Sequence, residues 1–233
     1  DRVFEADILI QSGAPVYWCH DEHHCYTNEW YQPIIKNRFL KNKNKNKNVK
    51  LINFAAGSCQ VYHSEGSEFC NQCNNYIKEF YNLCDVTTVR DTLSQKIFKE
   101  IDVHVPVIPC SSIFAIDEHS LKNNEGEYVV VNYMKGGAHY TFGQKIDFEK
   151  WENQFKKFYF NLKEKEKVII SCHNKIEVDE ALKLDPKAQI FYEKDNYLAY
   201  MKFYSAAKFG IMNRVHGAFL MASYGKPSIL IGN

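Results

Sequence analysis

The feature that most constrains the fold is a regular alternation of short apolar runs with longer stretches of helical periodicity. Strand-like runs lie at residues 8–10, 49–56, 85–89, 103–108, 128–133, 168–171, 189–192, 210–212 and 228–231. Helical stretches lie at residues 29–40, 74–83, 91–100, 148–165, 176–184, 196–207 and 215–224. Strands that alternate with helices are typical of parallel sheets covered by helices on both faces. The sequence therefore predicts an α/β fold.

A polar stretch at residues 117–127, which includes Asn-Asn-Glu-Gly, interrupts this alternation. A chain of 233 residues has room for one or two domains at about 100–200 residues each. We therefore expect two Rossmann-like lobes, residues 1–120 and 127–233, with a cleft between them. In open α/β sheets, ligands bind outside the carboxyl ends of the strands, so the candidate site residues are sought there.

The charge balance argues against a general nucleic-acid binder. Lys and Arg number 29 against 28 Asp and Glu, for a net charge of +1. The Lys/Asn alternation at residues 41–48 is typical of a solvated surface loop. No apolar run approaches membrane-spanning length and no signal peptide is recognisable. We therefore expect no transmembrane segment. In a chain of this length without a signal peptide, we also expect the eight cysteines to be reduced thiols and the location to be cytoplasmic.

The most specific group of candidate functional residues is Asn-Arg-Val-His-Gly-Ala at residues 213–218, between a predicted strand and a predicted helix. A helix N-terminus favours an anion, and Arg214 can grip a phosphate or carboxylate there. His216 can exchange a proton near neutral pH, and Gly217 lets backbone approach a ligand closely. The alternative is a surface arginine and a capping histidine at a tight junction.

Two further strand ends carry candidate residues. Arg90 follows the strand at 85–89 and would face the cleft while Asp91 caps the next helix; the alternative is a simple ion pair. Gly136 and Gly137 follow the first strand of the second lobe. A glycine pair there permits a tight turn against a ligand, or else a flexible surface loop.

A cysteine-rich pattern raises the question of metal. Cys19 and Cys25 flank a run of histidine and acidic residues, and Cys70 and Cys73 form a CxxC. Four such ligands could hold a structural zinc ion. The alternative is a polar loop with buried thiols, because no second CxxC occurs at finger or ribbon spacing. We assign no metal to catalysis.

Four segments resemble the polysaccharide pyruvyl transferase family, in the same order along the chain. The most specific is residues 213–218, with its R-V-H-G, followed by the G-K-P at 225–227 and an apolar strand. Residues 6–13, ADILIQSG, and residues 88–94, TVRDTLS, are similar to segments of the first lobe of that family.

The resemblance implies a GT-B-like transferase. It would move the enolpyruvyl group of phosphoenolpyruvate onto a sugar or glycan, lipid-linked ones included, to give a pyruvate ketal and phosphate. No cofactor is required. By this analogy Arg214 and Arg90 hold the anion and His216 donates or shuttles a proton.

The resemblance also implies substrate-binding roles for the two lobes and their loops. The first lobe would bind the acceptor and the second the donor. We expect Ser12, Gly13, Gly136, Gly137 and Gly217 to line the substrate site.

The chain departs from the family pattern in three ways. The family usually begins with a further βα unit and continues past the last strand, so we expect both lobes to be incomplete here. The first loop reads Ser-Gly-Ala at residues 12–14 rather than a full glycine run, and the cysteine clusters are not general family features.

Two other functions remain open. One is a GT-B glycosyltransferase that uses a nucleotide-sugar, which would share the two lobes and the anion site. The other is a non-catalytic, zinc-stabilised scaffold or binding protein.

Overall fold

The structure is a computed structural model that describes residues 6–13, 15–19, 49–59, 69–118, 125–136 and 145–231. The predicted helix at 29–40 and the charged loop at 41–48 lie outside these residues, as do Cys25 and Gly137. The chain divides into two compact units, residues 1–111 and 112–233. No helix within the described ranges has the length and apolar character that a bilayer crossing requires.

The first unit is a parallel sheet with helices. Its elements are β1 (Ile8–Ser12), β2 (Pro15–Trp18), β3 (Lys50–Cys59), α1 (Asn71–Leu83), β4 (Val86–Val89) and α2 (Thr92–Glu100). The long strand β3 pairs in parallel with β1, β2 and β4. The core forms where apolar residues of β3 meet those of both helices, including Leu51, Ile77, Phe80, Ile97 and Phe98.

Two predictions for the first unit need correction. The strand expected at residues 8–10 continues to Ser12, and an additional strand, β2, begins at Pro15. Gly13, at φ +67°, lies between the two strands. The expected strand at 103–108 is reduced to one bridge between Val107 and Val89. Pro106 and Pro109 have no N–H groups to extend the ladder there.

The second unit is a five-stranded parallel sheet. It begins with a 3₁₀ turn (Ser111–Phe114) at the unit boundary and the short helix α3 (Ala115–Glu118). Its main elements are β5 (Tyr128–Val131), α4 (Phe148–Lys163), β6 (Val168–Ser171), α5 (Lys175–Leu184), β7 (Gln189–Phe191), α6 (Tyr197–Ser205), β8 (Ala207–Met212), α7 (Val215–Ser223) and β9 (Ser228–Leu230). The strand order is β7-β6-β5-β8-β9.

Side chains of β5 alternate between the two faces of this sheet, as strand geometry requires. Val129 and Val131 pack with residues of α4 and α5, such as Phe155 and Ala181. Tyr128 and Val130 pack on the opposite face with residues of α6 and α7, such as Tyr204 and Met221. The predicted α/β architecture with parallel sheets is confirmed, whereas the GT-B arrangement of two lobes stays a prediction.

Candidate functional site

The second unit has its topological switch point between β5 and β8. The chain builds β6 and β7 on one side of β5, then returns to place β8 and β9 on the other side. Ligands of open α/β sheets bind at such a point, outside the carboxyl ends of the strands. Gly136 follows β5 and Arg214 follows β8, so the strand order brings two predicted site positions to this edge.

Arg214 is the N-cap residue of α7. Its backbone is extended there, at φ −97° and ψ 116°, and its side chain makes no capping hydrogen bond within the described residues. The guanidinium turns away from its own helix and donates through Nη2 to Glu177 Oε1. Arg214 therefore places a positive charge at the N-terminal end of α7, where the helix dipole favours an anion.

Glu177 organises this part of the site, and the sequence analysis did not single it out. Its carboxylate accepts hydrogen bonds from the backbone N–H of His173 (2.7 Å) and from Asn174 Nδ2 (3.0 Å). Its own N–H donates to Asn174 Oδ1 (2.9 Å), so Asn174 caps the start of α5 while the Glu177 carboxylate reaches back to the residue before the cap. The Asn-x-x-Glu spacing directly after a strand is a sequence signal that could have revealed it.

The charge state of Glu177 follows from these contacts. Burial raises the pKa of the carboxyl, but hydrogen bonds from His173 and Arg214 outweigh burial and lower it to about 2. Glu177 is therefore an anion at neutral pH and pairs with Arg214. It accepts a hydrogen bond from Nη2 of the guanidinium and so fixes the side chain at the start of α7.

A pocket of about 220 Å³ opens at the carboxyl ends of β5 and β6. Its lining residues are Tyr133, Met134, Lys135, Asn174, Ile176, Glu177 and Glu180. Glu177 thus contacts both Arg214 and this pocket. Lys135 adds an exposed cation to the same edge, a second residue that the sequence analysis did not select.

His216 and Gly217 lie in the first turn of α7 but in different surroundings. His216 is exposed, whereas Gly217 is buried against the sheet. A Cβ at Gly217 would lie 3.2 Å from Asn132 Oδ1 and 3.3 Å from the hydroxyl oxygen of Tyr204. The neighbours of Gly217 are therefore protein atoms, and the glycine lets α7 pack closely on β5 and β8.

Gly136 is required by its backbone conformation. Its φ is +75°, and a Cβ would lie 2.5 Å from Cε1 of Phe148 at the start of α4. Only glycine fits such a turn without strain. The residue makes the tight turn that the sequence predicts at this strand end.

Arg90 lies at the corresponding strand end of the first unit. Its Nη1 donates to the backbone oxygen of Gly13 (3.2 Å), and its Nε lies 3.6 Å from an Asp91 carboxylate oxygen. The ion pair between Arg90 and Asp91 that the alternative interpretation predicted is thus present. Arg90 also contacts Gly13, one of the residues predicted to line the substrate site. Ser12, next to Gly13, is exposed.

The rest of the Arg-Asp-x-x-Ser segment has a structural role. Asp91 caps α2 and accepts the Ser94 N–H at 2.6 Å. The Ser94 hydroxyl is fully buried and lies 3.3 Å from that of Ser58 in β3. These two contacts fix the start of α2 against the sheet and so hold the backbone that carries Arg90.

Three of the four predicted cysteine ligands lie together. The Sγ atoms of Cys19, Cys70 and Cys73 all lie within 4.8 Å of one another. They lie at the end of β2 and the start of α1. The predicted cleft, which would relate the Arg90 and Arg214 groups, stays a prediction.

The fold and this site define an α/β protein with parallel sheets and an arginine at the switch point of its second sheet. A comparison with protein-family models matches residues 4–233 to polysaccharide pyruvyl transferase. The chain belongs to the polysaccharide pyruvyl transferase family, as its resemblance predicts, and that family name denotes a transferase of polysaccharide biosynthesis. Searches of curated proteins and of solved structures found no match.

Proposed function

We propose that the protein transfers the enolpyruvyl group of phosphoenolpyruvate to a sugar, forms a pyruvate ketal and releases phosphate. The observation that carries this proposal is the family match over residues 4–233. The geometry of the second unit supports it independently, because phosphoenolpyruvate carries a phosphate and a carboxylate. A helix N-terminus with an adjacent arginine suits such a dianionic or trianionic donor.

In this proposal Arg214 binds the donor and Glu177 positions Arg214. The buried Glu177 carboxylate fixes the guanidinium through Nη2, so little side-chain entropy is lost when the donor binds. Lys135 supplies a further positive charge at the carboxyl end of β5. Arg90, oriented by the Gly13 carbonyl, provides the cation of the first unit.

His216 is proposed to move the proton that starts the reaction. Protonation of the methylene carbon of phosphoenolpyruvate makes its C2 electrophilic, and a sugar hydroxyl adds there. A second hydroxyl then displaces phosphate to close the ketal. One hydroxyl proton ends in the new methyl group and the other on the released phosphate, so the histidine returns to its starting state.

The test is a phosphate-release assay with phosphoenolpyruvate and galactoside or mannoside acceptors. We expect Arg214→Ala to lower kcat/KM about a hundredfold, as for the loss of one preorganised charge-stabilising donor. His216→Gln should lower kcat by about a hundredfold, the typical contribution of a general acid. Lys183→Ala, an exposed cation at the far end of α5, is the matched control and should retain activity.

Two outcomes would contradict the proposal. Full phosphate release by His216→Gln would exclude its role as proton donor. Absence of release from folded wild type, together with binding of a nucleotide-sugar, would favour the glycosyltransferase alternative.

A further inference from the structure

The cluster of Cys19, Cys70 and Cys73, here called the thiol cluster, plays no part in the proposed transfer reaction. Cys73 is fully buried, and Cys19 and Cys70 are partly buried. Cys19 ends the segment that holds β2, whereas the other two open α1, more than fifty residues later in the chain. The fold therefore brings Cys19 to a CxxC pair that lies far from it in the sequence.

The distances suit a tetrahedral metal. All three Sγ atoms lie within 4.8 Å of one another. Zinc–sulfur bonds of about 2.3 Å place tetrahedral ligands about 3.8 Å apart, so a contraction of about 1 Å or less is needed. Side-chain rotation at the partly buried Cys19 and Cys70 can supply it.

Backbone N–H groups point at two sulfur atoms of the thiol cluster. Cys70 is the N-cap of the thirteen-residue α1, and its Sγ accepts the N–H of Cys73 at 3.4 Å. The Sγ of Cys19 accepts the N–H of Cys70 at 3.5 Å. Such N–H contacts orient metal ligands from the second coordination shell.

A metal explains the cluster better than a disulfide does. Three thiols cannot pair completely, so any disulfide would leave one sulfur of the cluster unused. Three thiolates in one partly buried place would repel one another without a cation. Sulfur ligands select zinc and other soft or borderline ions over Mg²⁺ and Ca²⁺.

We propose that Cys19, Cys70 and Cys73 bind one zinc ion, which ties the end of β2 to the start of α1. Each thiol loses its proton to solvent when its zinc–sulfur bond forms, so binding releases protons and strengthens as pH rises. Three positions of the tetrahedron are thereby assigned to protein sulfur. The role is structural, because the ion joins two elements of the first unit and stabilises the folded state.

The experiment measures metal on the full chain, purified under reducing conditions and reconstituted with zinc alone or cobalt alone. We expect one zinc ion per chain by elemental analysis. Cobalt should give thiolate-to-cobalt charge-transfer absorption together with the visible bands of a tetrahedral ion. A strong chelator should lower Tm, and added zinc should restore it.

Variants connect the metal to the cluster. Cys19→Ser, Cys70→Ser and Cys73→Ser should each weaken zinc affinity by more than the roughly tenfold loss that follows removal of a second-shell partner. Cys84→Ser, at the opposite end of α1, is the matched control and should keep one zinc ion.

The proposal is overturned if folded, reduced wild type takes up no zinc and gives no cobalt–thiolate absorption. It is also overturned if alkylation and mass spectrometry find a disulfide within the cluster under reducing purification. Both measurements need only wild type, so they stand even if a cysteine variant fails to fold. Neither depends on phosphate release, which separates this proposal from the proposed transferase activity.

Discussion

At the scale of single residues, one glycine in β3 decides where the Arg90 guanidinium lies. A Cβ on Gly57 would fall 2.1 Å from Arg90 Nε and 2.4 Å from its Cζ. No side chain can share that space, so the absence of a Cβ lets Arg90 cross β3 and reach the Gly13 carbonyl. Gly57 thus sets the direction of a predicted substrate-binding residue without contacting substrate itself.

Replacement of Gly57 by alanine should therefore act through Arg90. We expect Gly57→Ala to lower kcat/KM for phosphoenolpyruvate about as much as Arg90→Ala does, roughly tenfold or more. The three atoms nearest to that methyl group all belong to the Arg90 guanidinium, so in the Arg90→Ala background Gly57→Ala should have little further effect. A double-mutant cycle in the phosphate-release assay measures this coupling. Additive losses would contradict the steric argument.

A second residue-scale prediction concerns the ionisation of Glu177. Its pKa is about 2 in the folded protein against an ordinary value of 4.5. Between these values the unfolded chain binds the extra proton, so stability falls as pH falls through this window. Above pH 4.5 the full stabilisation is present.

We expect Glu177→Gln to flatten the decline of the unfolding free energy between pH 4.5 and 2. These two limits are the ordinary pKa of the carboxyl and its pKa of about 2 in the folded protein. Urea titrations at a series of pH values measure this slope. Glu193→Gln, an exposed loop carboxylate, is the matched control and should leave the slope unchanged. An identical slope for wild type and Glu177→Gln would show that the carboxylate is not held as its contacts indicate.

At the scale of elements, side-chain caps place the starts of the helices close to where the sequence puts them. Among the described residues, five helix N-caps accept a hydrogen bond from the backbone three residues on: Cys70, Asp91, Asp147, Asn174 and Asn196. These are local interactions that a single stretch of sequence contains. The start of α2 was predictable for that reason, with Asp91 as the predicted cap.

A buried carboxylate joins α4 to the end of α5. Asp185 accepts the hydroxyl of Tyr159 at 2.9 Å, the ammonium group of Lys163 and the N–H of Lys187 at 2.9 Å. Tyr159 is fully buried, so its hydroxyl has no water to replace this partner. The two helices are thereby held together on one face of the sheet.

We expect Asp185→Ala to lower the free energy of unfolding by about 2 kcal/mol, because it leaves the Tyr159 hydroxyl and the Lys187 N–H without an acceptor. Asp179→Ala, on the exposed side of α5 where Asp179 pairs with Lys175 at 3.4 Å, should change it by no more than about 0.5 kcal/mol. Denaturant unfolding measures both. Equal losses would show that the Asp185 contacts do not stabilise the fold.

Whether a segment forms a strand was harder to predict where its pairing partner is distant in the sequence. The β-branched run at 103–108 resembles a strand, yet only Val107 bridges to Val89. The pairing of β2 with β3 was missed because Gly13 and Pro15 resemble a turn in isolation. In both places the outcome depends on which N–H groups find a partner across the sheet, and local sequence does not contain that information.

At the scale of the whole molecule, two units with separate cores account for the length of the chain. The first unit has its core on the β3 side chains, and the second has one core on each face of its sheet. The net charge of +1 conceals local pairing: Arg214 faces Glu177, and Arg90 lies beside Asp91. Such pairing places charged side chains at the strand ends while the net charge of the chain stays near zero.

The sequence by itself determined the α/β class, the family and the positions of Arg90, Arg214 and His216 at strand ends. These follow from local periodicity and from short segments whose residues are neighbours in the chain. Only the tertiary structure decided the roles of Glu177 and Gly57 and the assembly of the thiol cluster. Each depends on atoms more than thirty residues apart in the chain, and only the packing of strands and helices determines which distant groups meet.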